Sequence, residues 1–280
     1  MEDYDIIAFI RAALEEDVRD GDHSSLSCIP ADAERQARLI VKDNGVLAGV
    51  AIAELVFREV DASLTMETFI QDGERVKFGD IAFHVKGSAR SILTAERLVL
   101  NLMQRMSGIA TRTRSVVDLI DGTGAKVLDT RKTTPLLRYF EKRAVKIGGG
   151  ENHRFGLYDM IMLKDNHVDY AGGIEAAVRR TMDYLKEKGL NIPVEVETRN
   201  MDEVREALNA PGVDRIMLDN FTPDQVREAV KFINGRVETE ASGGITLDTI
   251  RGYAETGVDY ISMGALTHSV KSLDMSLKAF

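Results

Sequence analysis

The feature that most constrains the fold is a strand–loop–helix rhythm that begins near residue 110 and repeats toward the end of the chain. Six short apolar segments with helical patterns between them predict strands at 126–130, 160–164, 193–197, 215–219, 237–242 and 260–264. Strands joined through helices of this length pair in parallel through right-handed crossovers. The repeat therefore predicts a parallel β/α barrel with fewer than the usual eight strands. An open, doubly wound sheet is the alternative, although no G-x-G-x-x-G turn follows the first strand.

The residues before this repeat follow a different pattern. Segments 35–43, 64–70 and 81–87 alternate like strands, have turn signals between or beside them and are flanked by helical patterns. We therefore predict an N-terminal α+β sandwich domain at 1–109 and a barrel domain at 110–266. The closing segment, 267–280, is amphipathic and is expected to pack back on the N-terminal domain.

Composition excludes several classes of protein. No apolar run approaches the roughly 18 residues that a membrane span needs, and the acidic N-terminus lacks the layout of a signal peptide, so we expect a cytoplasmic protein. A single cysteine, Cys28, excludes an internal disulfide and a cysteine metal cluster. The net charge of −9 argues against nucleic acid as the main partner.

One segment reverses the overall acidity. Eight basic residues face three acids between 126 and 154, a local balance of +5: Lys126, Arg131, Lys132, Arg138, Lys142, Arg143, Lys146 and Arg154 against Asp129, Glu141 and Glu151. A small anionic ligand explains this cluster. For the four basic residues inside the predicted amphipathic helix, 138–146, a solvated helix face is an alternative explanation.

Polar residues stand at the carboxyl end of every predicted barrel strand. In barrels of this kind the chemistry collects at those ends, and six agreeing ends are hard to explain as helix caps. The residues are Arg131 and Lys132, then Lys164 with Asp165, Asn166 and His167, then Glu197, then Asp219 and Asn220, then Ser242, Gly243 and Gly244, and finally Gly264. The last two turns, SGGI and SMGAL, suit a phosphate because their backbone N–H groups can approach an anion closely.

The chain closely resembles the quinolinate phosphoribosyltransferase family in three motifs and in their order and spacing: DTRKTTP, GGGENHR and KDNH. The same resemblance holds for LTAERLVLNLMQRMSGIATRT before them and for VEVET, IMLDN, ASGGI and ISMGALTHS after them. The resemblance covers essentially the whole chain. It implies a homodimer or a larger assembly of dimers, such as a hexamer. It also implies a reaction in which quinolinate, phosphoribosyl diphosphate and Mg²⁺ give nicotinate mononucleotide, diphosphate and carbon dioxide.

The resemblance also implies roles for individual residues. Arg131, His153, Arg154 and Lys164 are expected around the pyridine ring and its two carboxylates, which guanidinium forks bind in bidentate fashion. Arg97 is expected to reach in from the neighbouring subunit. Thr130 and Lys132 are expected to meet phosphoribosyl diphosphate, and the phosphate turns add Ser242, Gly243, Gly244, Met263, Gly264, Ala265 and His268.

Two carboxylates, Glu197 and Asp219, are expected to steady an oxocarbenium-like transition state, hold the ribose hydroxyls and help to place Mg²⁺. Lys132 and Lys164 complete the expected catalytic set. Glu195 lies on the same strand face as Glu197, and the sequence leaves open whether it shares this task or is a structural acid.

Several positions near these motifs carry narrower expectations. Gly148–Gly150 are expected to turn the chain so that His153 and Arg154 point toward the ring, with Asn152 bracing the loop. His167 is a candidate for orienting the loop of Lys164. We predict no zinc site. The family often has glycine where this chain has Leu136, a position that the pattern places at the start of a helix, so we expect a packing change there.

Two other functions fit parts of the pattern. A related phosphoribosyltransferase acting on another heterocyclic acid shares the same motifs, although Arg97, Arg131, Arg154 and Lys164 together favour a dicarboxylate. A nucleotide sensor or RNA-binding protein would use the basic cluster without turnover. The overall acidity and the lack of aromatic stacking motifs argue against this second reading.

Overall fold

The computed structural model describes residues 4–280, and these residues form ten α-helices and twelve strands. The helices are α1 Ile6–Asp17, α2 His23–Cys28, α3 Val50–Val60, α4 Ala89–Leu119, α5 Arg138–Ile147, α6 Asp165–Ala171, α7 Ile174–Lys188, α8 Met201–Asn209, α9 Pro223–Ile233 and α10 Ile250–Ala254. The strands are β1 Glu34–Val41, β2 Gly45–Val46, β3 Thr65–Thr68, β4 Arg75–Val76, β5 Ile81–Ser88, β6 Lys126–Leu128, β7 Ile161–Leu163, β8 Val194–Thr198, β9 Arg215–Asp219, β10 Glu238–Ser242, β11 Tyr260–Ser262 and β12 Met275–Ala279.

The chain divides into two compact units whose boundaries differ from the predicted ones. The first unit contains the residues up to Arg114 together with Thr134–Gly149 and Leu266–Phe280, and the second contains Ser115–Thr133 and Gly150–Ala265. The predicted boundary near residue 110 falls inside α4, which continues for 31 residues. The basic helix α5, predicted within the barrel, belongs to the first unit because its aromatic residues pack there.

The first unit is built on a four-stranded antiparallel sheet in the order β12-β1-β5-β3. The C-terminal strand β12 pairs with β1 along residues 37–41, so the end of the chain completes this sheet. Alternation buries Leu39 and Val41 of β1 and Phe83 and Val85 of β5, which form the core against the helices. Burying each such side chain contributes about 1.5–3 kcal/mol.

The helix α5 joins this unit through aromatic contacts and a close backbone approach. The ring of Tyr139 stacks on Tyr4 at 4.6 Å between centroids, and Phe140 lies 4.6 Å from Phe9. At the end of α5 a Cβ atom on Gly148 would lie 2.6 Å from the carbonyl oxygen of Ala110, so only glycine allows α5 to lie this near α4.

The hypothesis that the basic residues of α5 form a solvated helix face is wrong for one lysine. Lys142 is fully buried, as is the neighbouring Glu141, whereas Lys146 is exposed. The apolar stripe of α5 is wide, since Tyr139, Phe140, Ala144 and Val145 are all buried, and it leaves little of the helix for water.

The second unit is built on a six-stranded, all-parallel sheet in the order β6-β11-β10-β9-β8-β7. The six strands predicted from the sequence are all present, with ends that differ by at most two residues. Helices return the chain from strand to strand, as the crossover rule requires. Local signals start them: Asn200 accepts backbone hydrogen bonds at the start of α8, and Thr222 forms a capping box with Gln225 before Pro223 opens α9.

The edge of this sheet at β6 is occupied by an irregular segment. Glu151 forms an isolated parallel bridge with Leu128, and its N–H donates to the carbonyl of Val127 at 2.8 Å. Residues 151–153 thus run beside β6, where the next strand of a larger barrel would lie. Within residues 4–280 no helix is long and apolar enough to cross a membrane.

Candidate active site

The carboxyl ends of the six parallel strands bring the predicted polar residues of the second unit to one edge of the sheet. Strand register also places many of them on one face, because register partners in neighbouring strands point to the same side. Glu195 pairs with Arg215, Glu197 with Met217, and Ser242 with Asp219. The alternate residues Glu195 and Glu197, Arg215 and Asp219, and Glu240 and Ser242 therefore share this face.

Two guanidinium groups lie close together beside β6. Arg154 follows the segment that runs along this strand, and its Nη1 donates to the carbonyl oxygen of Met160 at 3.3 Å. Burial and the charge of Arg131 lower the pKa of Arg154. Arg131 and Arg154 are both half-buried and have the same charge. They therefore favour an anion with more than one negative group, because such a ligand neutralises both.

Backbone hydrogen bonds fix the loop that carries Arg154. Asp129, which is fully buried, accepts from the N–H of His153 at 2.9 Å. Asp159 accepts from the N–H groups of Phe155 at 2.6 Å and Gly156 at 2.9 Å. The loop is thus braced on both sides of Arg154, so its guanidinium is held in place before any ligand arrives.

Lys164 and two carboxylates form a second charged group at the ends of β7, β8 and β9. Lys164 Nζ lies 3.7 Å from Glu197 Oε2. Burial raises the pKa of Glu197, with the nearby charges of Asp219 and Asp165 acting in the same direction and Lys164 opposing them. His167 orients this loop, because its Nδ1 accepts from the N–H of Lys164 at 3.0 Å. A half-buried carboxylate with other acids beside it suits a cation or a polyhydroxyl ligand.

Beneath these groups lies a buried cluster of one imidazole and two carboxylates. His153 Nε2 lies 2.9 Å from Glu195 Oε2 and 3.4 Å from Glu240 Oε2, and all three residues are buried. The guanidinium of Arg215 lies 3.1 Å from Glu240 and balances its charge. Because Arg154 N–H donates to His153 Nδ1 at 2.7 Å, the proton of the neutral ring lies on Nε2, facing the acids.

This cluster binds an additional proton more tightly than its separated groups would. Burial alone lowers the pKa of His153, but interactions with Glu195 and Glu240 raise it to about 9. Burial and the charge of Glu240 raise the pKa of Glu195 to about 7. Burial also acts to raise the pKa of Glu240, but His153, Ser262 and Arg215 together hold this pKa below its ordinary value. The three groups therefore titrate as one unit.

The first glycine-rich turn, after β10, adopts backbone conformations that only glycine accepts easily. Gly243 and Gly244 have φ of +95° and +60°. A Cβ atom on Gly243 would lie 2.3 Å from Asn220 Oδ1, whereas one on Gly244 would meet open space. The turn after β11 begins at Gly264, where a single 3₁₀ turn, Gly264–Leu266, follows Met263. Both turns present backbone N–H groups at the same end of the sheet.

The structure separates the predicted site residues into three groups. Fourteen of them lie in the second unit, and all but His153 and Met263 are half-buried or exposed: Thr130, Arg131, Lys132, His153, Arg154, Lys164, Glu197, Asp219, Ser242, Gly243, Gly244, Met263, Gly264 and Ala265. Arg97 and His268 belong to the first unit, and both are exposed. Glu195 is buried against His153, which favours the structural acid of the two alternatives.

The expectation that His153 meets the pyridine ring stays a prediction, and its surroundings are those of a buried residue. Its side chain is only 4% exposed, and its ring turns to the two buried acids, so it does not project into solvent at the strand ends. The reason is electrostatic, since Glu195 and Glu240 lie 2.9 Å and 3.4 Å from its Nε2. Sequence analysis missed Glu240 and Arg215. The period of two from Ser242 back to Glu240 was the available signal, but the pairing with His153 depends on tertiary structure.

Leu136 also differs from the expectation. It does not begin α5; it lies in the turn before that helix with φ of +65°, and its side chain is exposed. This is the left-handed region, where leucine is strained and glycine is not. The glycine that the family often has at this place therefore answers a backbone requirement.

The fold and the site define an α/β enzyme for small anionic substrates: a parallel sheet whose strand ends gather cations, paired carboxylates and glycine-rich turns. Comparison with known proteins specifies the class further. Family models match residues 22–107 as the quinolinate phosphoribosyl transferase N-terminal domain and residues 109–278 as the C-terminal domain of the same family. The chain belongs to the quinolinate phosphoribosyltransferase family, as the sequence motifs predicted.

Individual relatives agree with this assignment. The chain is 50% identical to a nicotinate-nucleotide pyrophosphorylase (carboxylating) of Oryza sativa subsp. japonica, described as chloroplastic, over 98% of this chain and 78% of that protein. It is 46% identical to a probable enzyme of the same name from Bacillus subtilis, over 94% of this chain and 89% of that protein. The crystal structure of NadC from Streptococcus pyogenes has a TM-score of 0.93 at 43% identity and covers 98% of this chain and 95% of its own.

Proposed function

We propose that the chain transfers the phosphoribosyl group of phosphoribosyl diphosphate to the ring nitrogen of quinolinate and releases carbon dioxide, forming nicotinate mononucleotide for NAD biosynthesis. The observation that carries this proposal is the pair of neighbouring guanidinium groups, Arg131 and Arg154, at the end of β6, together with Lys164 at the end of β7. Quinolinate has two adjacent carboxylates, which suit this arrangement of cations.

The bonds that form and break assign the remaining groups. The ring nitrogen bonds to the ribose carbon as the bond from that carbon to diphosphate breaks, and the carbon–carbon bond to the adjacent carboxylate then breaks to release carbon dioxide. The cationic ring nitrogen accepts the electron pair, and a proton replaces the lost carboxylate. Glu197 and Asp219 stabilise the developing positive charge at the ribose. The protein therefore contributes positioning and charge complementarity.

Contacts to phosphoribosyl diphosphate are proposed for the surrounding loops. Lys132 and the hydroxyl of Thr130 face the diphosphate, and the phosphate group takes backbone N–H groups of the turns at Ser242–Gly244 and Gly264–Ala265. Met263 precedes the second turn, and its own N–H donates to the carbonyl oxygen of Leu128 at 3.0 Å. His268 is proposed as a further contact of the substrate. His153 supports the loop of Arg154, since Nδ1 of the neutral ring accepts a hydrogen bond from the backbone N–H of that residue.

Glu197 and Asp219 also fit Mg²⁺, which prefers carboxylate and phosphate oxygens. Burial raises the pKa of Glu197 and the charge of Asp219 adds to this effect, so a divalent cation would relieve the crowding of negative charge. When bound, Mg²⁺ would neutralise charge on the diphosphate. We propose the cytoplasm as the compartment of this chain.

We further propose a homodimer, or a hexamer of three dimers, in which Arg97 reaches the site of the neighbouring subunit. Arg97 is exposed on α4, and Leu93, one turn earlier on the same helix, is also exposed although apolar. Arginine is enriched at protein–protein interfaces. Mixing Arg97→Ala with Lys164→Ala subunits tests this: mixed dimers regain activity at one site if Arg97 acts across the interface, and regain none if it acts within its own subunit.

The activity is tested by measuring carbon dioxide and nicotinate mononucleotide formed from quinolinate, phosphoribosyl diphosphate and Mg²⁺. We expect product from quinolinate and none from nicotinate, and loss of product in Arg131→Ala. The matched control is Arg199→Ala, which removes an exposed arginine of the same unit that pairs with Asp169 and Glu203. Product from neither acid would contradict the proposal and favour a related substrate or a non-catalytic role.

A further inference from the structure

A buried ion pair in the first unit joins α4 to α5. Arg105 Nη2 lies 2.8 Å from Glu141 Oε1, and Arg105 Nε donates to the same oxygen at 3.1 Å. The Glu141 side chain is 0% exposed and that of Arg105 is 25% exposed. Neither residue belongs to the site described above.

Each partner also holds a segment of irregular backbone. Arg105 Nη2 donates to the carbonyl oxygen of Thr267 at 2.5 Å, and Nη1 donates to that of Val270 at 3.3 Å. The other oxygen of Glu141 accepts from the N–H of Thr134 at 3.2 Å. One ion pair thus connects residues 134 and 267–270, which are far apart in the chain.

Both segments continue directly into residues proposed to contact phosphoribosyl diphosphate. Thr134 follows Lys132 by two residues, and Thr267 precedes His268. The segment after Thr134 has little regular structure of its own: a turn in which Leu137 N–H donates to the carbonyl of Thr134 at 3.1 Å precedes α5. The hydrogen bond to Glu141 therefore limits how far this backbone can move.

The chemistry of the pair suits orientation better than stability. A buried ion pair adds little net stability compared with apolar residues of the same volume, because both charges lose their hydration. A guanidinium, however, has five donors in a rigid plane, so it can hold a carboxylate and two carbonyl groups in one fixed arrangement. Apolar residues at these positions would fill the space without fixing either segment.

We propose that Arg105 and Glu141 are positioning residues that fix the segments carrying Lys132 and His268 and thereby set the affinity for phosphoribosyl diphosphate. This inference rests on the proposed function. It predicts a larger effect on phosphoribosyl diphosphate than on quinolinate, since Arg131 alone among the residues proposed for quinolinate lies in either segment, three positions before the anchored Thr134.

The test uses Glu141→Gln, which keeps the shape but loses the charge, and the double variant Arg105→Met/Glu141→Leu, which replaces the pair by apolar groups. We expect the double variant to fold and to raise KM for phosphoribosyl diphosphate by about tenfold or more, while KM for quinolinate changes by less than about twofold. Glu141→Gln should show a smaller change of the same kind. The control is Glu59→Gln, which removes the Arg11 ion pair elsewhere in the same unit.

Amide hydrogen exchange of the substrate-free protein gives a readout independent of activity. Exchange should become faster at residues 131–137 and 267–270 in the double variant and stay unchanged in the control. Unchanged exchange in both segments overturns the proposal, as does an equal rise in both KM values. If the unmodified chain forms no nicotinate mononucleotide, the proposed function fails. The affinity for phosphoribosyl diphosphate is then measured by calorimetry in place of KM. An unaltered affinity in the double variant overturns the positioning role.

Discussion

Arg215 offers a sharp test of the buried cluster, because a single guanidinium contacts two glutamates in different surroundings. Its Nη1 lies 3.1 Å from Glu240, whose side chain is 0% exposed, and its Nη2 lies 2.8 Å from Glu238, whose side chain is 50% exposed. The two acids lie on the same strand, β10, two residues apart. Their replacement by glutamine therefore compares burial while the partner and the side-chain shape remain the same.

The expected losses differ because water can replace only one of the two acids. Removing the charge of Glu240 leaves Arg215 Nη1 without its buried charged partner, although His153 keeps Glu195, and breaking a buried pair typically costs about 3–5 kcal/mol. Removing the charge of Glu238 leaves a partly solvated guanidinium, and exposed pairs contribute at most about 1 kcal/mol. Glu240→Gln should therefore lower the free energy of unfolding by about 2 kcal/mol more than Glu238→Gln.

The assay is urea unfolding at pH 7, followed by circular dichroism and by hydrogen exchange at β8–β10, which reports on the second unit alone. Exchange is needed because two units can unfold separately. Equal losses in the two variants, or a larger loss in Glu238→Gln, would refute the claim that Glu240 neutralises a buried cationic cluster.

Three further predictions follow from the local geometry. Leu136→Gly should raise the free energy of unfolding by about 1 kcal/mol, seen as a higher Tm in calorimetry, because glycine relieves the left-handed strain and is offset only by its greater freedom when unfolded. Because the folded pKa values of His153 and Glu195 are raised to about 9 and about 7, their stabilisation is present at low pH and is lost as pH rises. The urea concentration at the unfolding midpoint should therefore decrease as the pH is raised from 5 to 9 in metal-free buffer. His153→Asn should make this decrease smaller. Gly243→Ala should weaken phosphoribosyl diphosphate binding, measured by calorimetry, at least about tenfold more than Gly244→Ala, because only the first substitution collides with Asn220; equal losses would contradict the collision.

Much of the fold was predictable because its signals are local. The strands of the parallel sheet are short apolar runs bounded by turn residues, and α3 and α9 have an amphipathic period that defines them without tertiary context. The polar strand ends were also predictable, because parallel strands bring their carboxyl ends to one edge whatever the details of packing. The least predictable boundary was in α4, where an uninterrupted helix continues through the predicted change of domain.

The arrangement within the site depended on contacts that no local pattern contains. The proximity of Glu195 to Glu240 requires the register of β8, β9 and β10, and the place of His153 requires the segment beside β6. The ion pair of Arg105 and Glu141 joins residues 36 positions apart and reaches Thr267, 162 positions from Arg105. Side chains so distant in sequence can be paired only once the packing of helices and strands is known.

The sequence alone could name candidate residues for the chemistry, because residue type, strand period and motif spacing are properties of short segments. The tertiary structure decided which of these residues meet the solvent and which support them from below, because burial and charge pairing arise only when distant segments pack. His153 shows the difference: its motif makes it a candidate site residue, and only the packed structure shows that its ring faces two buried glutamates.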